Sequence, residues 1–167
     1  NTWGYLGKAW AGAVNAPFRY WKKESFEGGN CSPFIVHWPN NEKMNKNGIN
    51  RSVAHVMDIL PTCLELAGAD YPTKINGFQT TPPEGKSLLS VLNNETSQHQ
   101  DTLFWEHAGG KAARINNWKI AALKGRPWEL FNLAEDRTET TNIANQYPEK
   151  VLEMHKLWEA CYQSVNN

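Results

Sequence analysis

The chain of 167 residues carries 17 Lys and Arg against 17 Asp and Glu, so its formal net charge is zero and no excess of positive charge is available for a phosphate backbone or an anionic lipid surface. Nucleic-acid binding is not expected. With 40% hydrophobic and 20% charged residues, eight Trp and no apolar run near the ~20 residues of a membrane span, the composition excludes a disordered chain and a membrane-spanning helix and permits a buried core.

From Asn1 to Trp10 no basic start is followed by an apolar stretch, so no signal peptide is read there, and a chain without an initiator Met is expected to be a fragment or processed product. Cys31, Cys63 and Cys161 are odd in number and lack the spacing of a zinc site or redox pair. Asn30, Asn50 and Asn94 open glycosylation acceptor patterns, which are too short to carry weight alone.

In chain order, the stretch up to Asn30 shows no period of two or 3.6 and reads as a long surface connection. Pro33 to Trp38 is a short, nearly continuous apolar run, as expected for a strand buried on both faces of a parallel sheet, which needs neighbouring strands. Without them the chain should expose apolar surface or carry an incomplete sheet. Asp58 can cap a helix running through Leu66, with Gly68 placed to stop it and its apolar side covering the sheet. Tyr71 to Gly85 is a connector, followed by a short helix at about Ser87 to Leu92. The period then changes. Thr102–Glu106, Ala112–Ile115, Trp118–Leu123 and Trp128–Leu133 read as strands of an antiparallel meander, with Asn116-Asn117 as a tight turn. Pro148 to Val165 places Val151, His155, Trp158, Tyr162 and Val165 on one helical stripe, which should pack on the meander. The expected division is residues 1–92, an α/β remnant of loop, strand and helix, and residues 93–167, a small α+β subdomain.

Self-contained catalysis is not visible: there is no GxSxG elbow, no phosphate-cradling Gly-rich loop and no HExxH. The segment Asn15 to Gly29 stands out because Arg19, Lys22, Lys23 and a Glu-Gly-Gly turn directly precede the apolar run. Ligands of open α/β sheets gather in the loops at strand ends, and a Lys there suits an anionic group such as sulfate or phosphate. A solvated loop surface is the plainer alternative, and Glu27-Gly28-Gly29 by itself reads as a turn. His107 closes the first meander strand beside Gly109-Gly110, where the backbone can approach a ligand; a surface or structural role is its alternative. His37, inside the apolar run, is expected to be a satisfied core residue, and His55 and His155 to be structural. Trp118, Trp128 and Trp158 fit a core better than a sugar-stacking surface. Asp136 to Glu139 is read as a turn and cap rather than a metal site, and Asp58 as a helix cap.

Several ordered motifs together resemble the C-terminal part of a bacterial arylsulfatase-type sulfatase. They are Pro17 to Pro39, His55 to Gly68, Gly85 to Leu89, Phe104 to His107, Arg114 to Lys119, Trp128 to Leu133, Asp136 to Glu139 and Asn142 to Ala144. The resemblance implies an alkaline-phosphatase-like α/β sandwich followed by a small, about four-stranded antiparallel sheet with a packed helix. It also implies a formylglycine made from Cys or Ser in a CxPxR signature, Ca²⁺ held by Asp and Asn, and a Lys five positions before the Glu of Glu-Gly-Gly on the sulfate. That position is Lys22. Cys31-Ser32-Pro33 is a decoy, since Phe34 and Ile35 follow where the signature needs Arg, so formylglycine and Ca²⁺ are expected upstream, none bound to this chain alone. His107 falls where the family borders its substrate cleft. The implied partner is a sulfated small molecule or glycan, with self-association through exposed fragment surfaces and a periplasmic or secreted location. A phosphomonoesterase or phosphonate monoester hydrolase of the same superfamily, and a non-catalytic binding module, are the alternatives.

Overall fold

The computed structural model describes residues 7–44, 48–95 and 102–166. His99 and Asn1 to Leu6 lie outside them. In chain order the elements are helices α1 (Gly7–Asn15) and α2 (Glu27–Asn30), a 3-10 turn (Val56–Asp58), α3 (Ile59–Ala67), strands β1 (Lys74–Ile75) and β2 (Phe78–Gln79), α4 (Leu89–Leu92), strands β3 (Thr102–His107), β4 (Gly110–Ile115), β5 (Trp118–Ala122) and β6 (Glu129–Asn132), and α5 (Pro148–Asn166). None of the described helices is long and apolar enough to cross a membrane. Two compact units form: the residues up to Phe34 together with those from Thr102, and the residues between them from Ile35.

The first unit is built on the meander that the strand pattern predicts. Its order is β3-β4-β5-β6, all antiparallel, with His107 paired to Gly110, Ile115 to Trp118, and Trp118 to Asn132. Ala108 (φ 53°) and Gly109 (φ 86°) form the first tight turn, and Asn116 takes φ 54° in the second. One sheet face receives α5: Ala113, Ile120 and Leu130 pack on Met154 and Trp158, with Trp118 and Trp128 beside them. The Trp158 indole N–H donates to the Trp105 carbonyl at 2.9 Å, and that of Trp128 donates to His155 Nδ1 at 3.0 Å. These tryptophans and His155 are structural, as expected. Toward its end the predicted stripe gives way to exposed side chains, since Tyr162 and Val165 are exposed.

The opposite sheet face is also covered, which the sequence reading does not anticipate. Ala112, Ala121, Phe131 and Leu133 pack against Phe26, with Tyr20, Trp105 and Leu123 at the margin. Sandwiching explains why Lys119, Ile120, Ala121 and Ala122 are buried in succession along β5: a strand covered on both faces loses the alternation of a half-exposed one. Small Ala side chains in the two middle strands let helix and loop both approach closely.

The amino-terminal stretch departs from its expected irregularity. Gly7–Asn15 is helical, but no residue of α1 is buried and Trp10 and Val14 are about two-thirds exposed. A larger correction concerns Pro33 to Trp38, which forms no strand; Phe34 is 60% and Ile35 89% exposed, and His37 is exposed rather than a core residue. An apolar run becomes a strand only where neighbours accept its backbone hydrogen bonds, and no neighbour is present among the described residues. The exposed apolar surface expected in that circumstance is observed.

In the second unit α3 ends as predicted, at Gly68 in the left-handed conformation (φ 60°). Asp58 stands at its amino-terminal boundary and is fully buried, yet its carboxylate serves other amides: Oδ2 accepts from His55 N–H at 2.7 Å and Oδ1 from Lys86 N–H at 2.9 Å. Thr62 extends this lacing, donating to the Asp58 carbonyl and accepting from Leu88 N–H. Ile59, Leu60 and Leu66 of α3 stay 43–50% exposed, so the helix covers no sheet with these side chains. The connector at 71–85 contains the small hairpin β1–β2, turned by Asn76 (φ 51°) and Gly77 (φ 86°).

Candidate functional site

The cation-bearing segment from Pro17 to Ser32 is a closed loop fastened to the meander. Arg19 Nη1 contacts Glu129 Oε2 at 2.9 Å and donates to the Glu139 carbonyl at 2.6 Å, while its guanidinium lies over the rings of Tyr20, Phe26 and Phe131. Phe26 is fully buried, with its ring against Tyr20 and edge-on to Phe131. The loop closes through Gly28 N–H to the Arg19 carbonyl at 3.0 Å and Glu24 N–H to the Trp21 carbonyl at 3.1 Å. Its glycines are required by proximity rather than by φ. A Cβ on Gly28 would stand 2.3 Å from the carbonyl oxygens of Arg19 and Tyr20, and one on Gly29 1.9 Å from that of Glu24. Gly29→Ala is therefore expected to push the loop off the sheet at a cost of about 1–3 kcal/mol. A fall in melting temperature measures this, and an unchanged value would contradict the tight closure.

Glu27 proves to be much more than part of a turn. Its side chain is buried, with Oε1 2.8 Å from Lys119 Nζ and Oε2 3.0 Å from Arg137 Nε. Lys119 is wholly buried and also stands 2.9 Å from Glu139 Oε1, an ion pair without hydrogen-bond geometry, since that oxygen has no hydrogen-bond partner. The other Glu139 oxygen accepts from Glu27 N–H at 2.7 Å. Burial by itself raises the pKa of Glu27, but the charges of Lys119, Arg137 and Arg114 overcome it and hold the carboxyl below its ordinary value. For Glu139 burial wins over Lys119, and its pKa is raised. Asp136 caps the following turn as expected, accepting from the Thr138 hydroxyl, from Thr140 N–H and hydroxyl, and from Thr141 N–H.

Lys22 is exposed in the turn of this loop, and among the described residues no hydrogen bond or ion pair engages it. It borders an open cavity of about 470 Å³ shared with Ala11, Val14, Trp21, Gly28 and Ser32. Lys23 is exposed as well, at φ 102°. His107 is exposed at the end of β3. The two candidates, far apart in sequence, sit on neighbouring structures: Glu24 Oε2 lies 3.6 Å from where a Cβ of Gly110, the register partner of His107, would stand. Cys31 is half-buried, and its sulfur accepts from Arg137 Nη2 at 3.0 Å. Among the described residues no group of three or more His, Cys, Asp or Glu could hold a metal ion.

Lys119, Arg137 and Glu139 escape the sequence reading. One signal was available: Lys119 interrupts an otherwise apolar strand, Trp118-Lys-Ile-Ala-Ala122, and a Lys fully inside a sheet requires a buried carboxylate. Nothing local says that the partners are 92 and 20 residues away.

The fold of this chain recurs in solved structures. A Bacteroides thetaiotaomicron protein from a locus for glycosaminoglycan metabolism matches 84% of this chain and 31% of its own, with TM-score 0.67 and 22% identity. Ps i-CgsB, solved with k-i-k-neocarrahexaose, matches 87% of this chain and 32% of its own, with TM-score 0.65 and 24% identity. The family described as N-sulphoglucosamine sulphohydrolase, C-terminal, matches residues 18–164, and the chain belongs to it. An uncharacterized sulfatase of Schizosaccharomyces pombe is 33% identical over 95% of this chain and 29% of its own length. Arylsulfatase K of Danio rerio is 31% identical over 89% of this chain and 29% of its own. The chain thus spans less than a third of these relatives.

Proposed function

We propose that this chain is the C-terminal portion of a sulfuric ester hydrolase acting on sulfate esters of aryl or carbohydrate alcohols, and that Lys22 contacts the sulfate. The observation that carries the reading is Lys22 itself, a cation that no carboxylate among the described residues engages, on a loop that Arg19, Phe26 and Glu27 fasten to the sheet of a sulfatase-family fold. An ammonium so presented can donate a charge-assisted hydrogen bond to a sulfate oxygen as charge moves toward the leaving alcohol. Its compact charge and flexible stem suit an anion of tetrahedral symmetry. The nucleophile and any calcium ligands would come from residues outside this chain.

The test is turnover by the full-length enzyme of matched aryl sulfate, phosphate and phosphonate esters. Highest kcat/KM on the sulfate is expected, with no turnover by residues 1–167 alone. Preference for the phosphate or phosphonate would replace the reading by a sister hydrolase, and tight calorimetric binding of sulfated sugars by the isolated chain would favour a binding module.

His107 is assigned to substrate choice rather than chemistry, because it stands on the hairpin beside the loop rather than on it. His107→Ala should change KM among sulfated substrates more than kcat on an activated aryl sulfate. Equal losses of kcat on every substrate would move it to the reacting centre.

A further inference from the structure

We propose that Glu139, Lys119 and Arg137 are positioning residues that set the catalytic loop through Glu27, so that the buried charge cluster under the sheet face tunes the placement of Lys22. The inference rests on Lys22 being the sulfate ligand. Its basis is the economy of the loop's attachments. Lys22 and Glu27 share one closed segment, and among the described residues no hydrogen bond or ion pair holds Lys22 itself. Glu27 is held at three points: by Lys119 of β5 at 2.8 Å, by Arg137 at 3.0 Å, and through its backbone N–H by Glu139 at 2.7 Å. Glu139 also supplies the carbonyl that receives Arg19, the residue at the loop's other end. The 136–139 turn therefore grips both ends of the segment that carries Lys22.

A cluster built only for stability would not need this arrangement, because a buried ion pair rarely outperforms apolar packing of the same volume. Its useful property is geometric: charge-assisted bonds of fixed direction define a loop's position more narrowly than apolar contacts do. A cation misplaced by about 1 Å can forfeit on the order of a hundredfold in rate.

The experiment is a double-mutant cycle on kcat/KM with an aryl sulfate in the full-length enzyme, pairing Glu139→Gln with Lys22→Ala. Gln keeps the volume of Glu139 and an oxygen for Glu27 N–H while removing the charge that faces Lys119. Glu139→Gln alone is expected to lower kcat/KM by about ten- to a hundredfold, chiefly in kcat, and by less than about twofold when Lys22 is already Ala. The same cycle with Arg137→Ala, whose side chain is 43% exposed and so removable with little risk to the fold, covers the case in which Glu139→Gln does not fold. Losses of equal size in both backgrounds, or losses that follow the melting temperature, would mark a merely structural cluster and overturn the proposal. A silent Lys22→Ala would instead overturn the sulfate-ligand reading, and the positioning role with it.

Discussion

Lys22→Ala in the full-length enzyme should lower kcat/KM toward an aryl sulfate by roughly a hundred- to a thousandfold. Removal of a preorganised donor to developing charge costs about 3–4 kcal/mol of transition-state stabilisation, and a fold that already holds the loop by Arg19, Phe26 and Glu27 cannot move a substitute cation into its place. Lys23 is the internal control. It is adjacent and also exposed, but two successive side chains on a tight loop leave in different directions, and the spacing to Glu27 that the sulfatase resemblance implies points to Lys22. Lys23→Ala should remain within about twofold of wild type, as surface substitutions away from special features cost within ~0.5 kcal/mol. Steady-state kinetics of both variants at fixed salt decides the matter. A full-strength Lys22→Ala enzyme, or a larger loss at Lys23, would remove Lys22 from the site.

The second large effect is on stability. Lys119→Met keeps the unbranched stem up to the ε position but leaves the Glu27 and Glu139 carboxyls facing each other without their shared cation in a buried site. A loss of about 3–5 kcal/mol is expected, read as a lower urea midpoint by Trp fluorescence, since Trp105 has its ring centre 5.7 Å from the Lys119 ammonium. Adding Glu27→Gln and Glu139→Gln to Lys119→Met should recover part of the loss, because no buried charge is then stranded. A Lys119→Met protein within ~0.5 kcal/mol of wild type would show that the cluster is not the buried clamp its geometry indicates.

The two carboxyls should also respond to pH with opposite sign. Glu27 has a depressed pKa, so its stabilising contribution is present above the ordinary carboxylate value and disappears as pH falls through the lower folded value. The melting-temperature deficit of Glu27→Gln should therefore be largest near neutrality and shrink in acid. Glu139 has a raised pKa, so its ionisation works against the fold as pH rises through the folded value, and the deficit of Glu139→Gln should narrow with rising pH. Parallel slopes for the two variants would contradict these directions.

What the chain itself dictates is everything governed by local period and punctuation. Four strands with their turns, α5, and the stop of α3 at Gly68 follow from short runs set between turn residues, from Gly and Asn in left-handed positions, and from a 3.6-residue stripe, because these depend on residues only a few positions apart. The motif order from Pro17 to Ala144 likewise carries the family. Among Arg19, Lys22 and Lys23 only the family resemblance singles out Lys22, whereas His107 stands out by its place at a strand end.

The tertiary structure decided whatever requires a partner distant in sequence. Pro33 to Trp38 has the composition of a strand and is not one, since pairing is a property of neighbours rather than of the run itself. Glu27 reads as a turn residue until Lys119 and Arg137, 92 and 110 positions away, are seen to close on it. In sequence only the closing helix is expected on the meander, yet both faces are covered, because the loop that seals the second face contributes through one buried Phe and one buried ion cluster rather than through any periodic pattern. A buried charge gains its meaning only from what neutralises it, and that pairing is written in three dimensions.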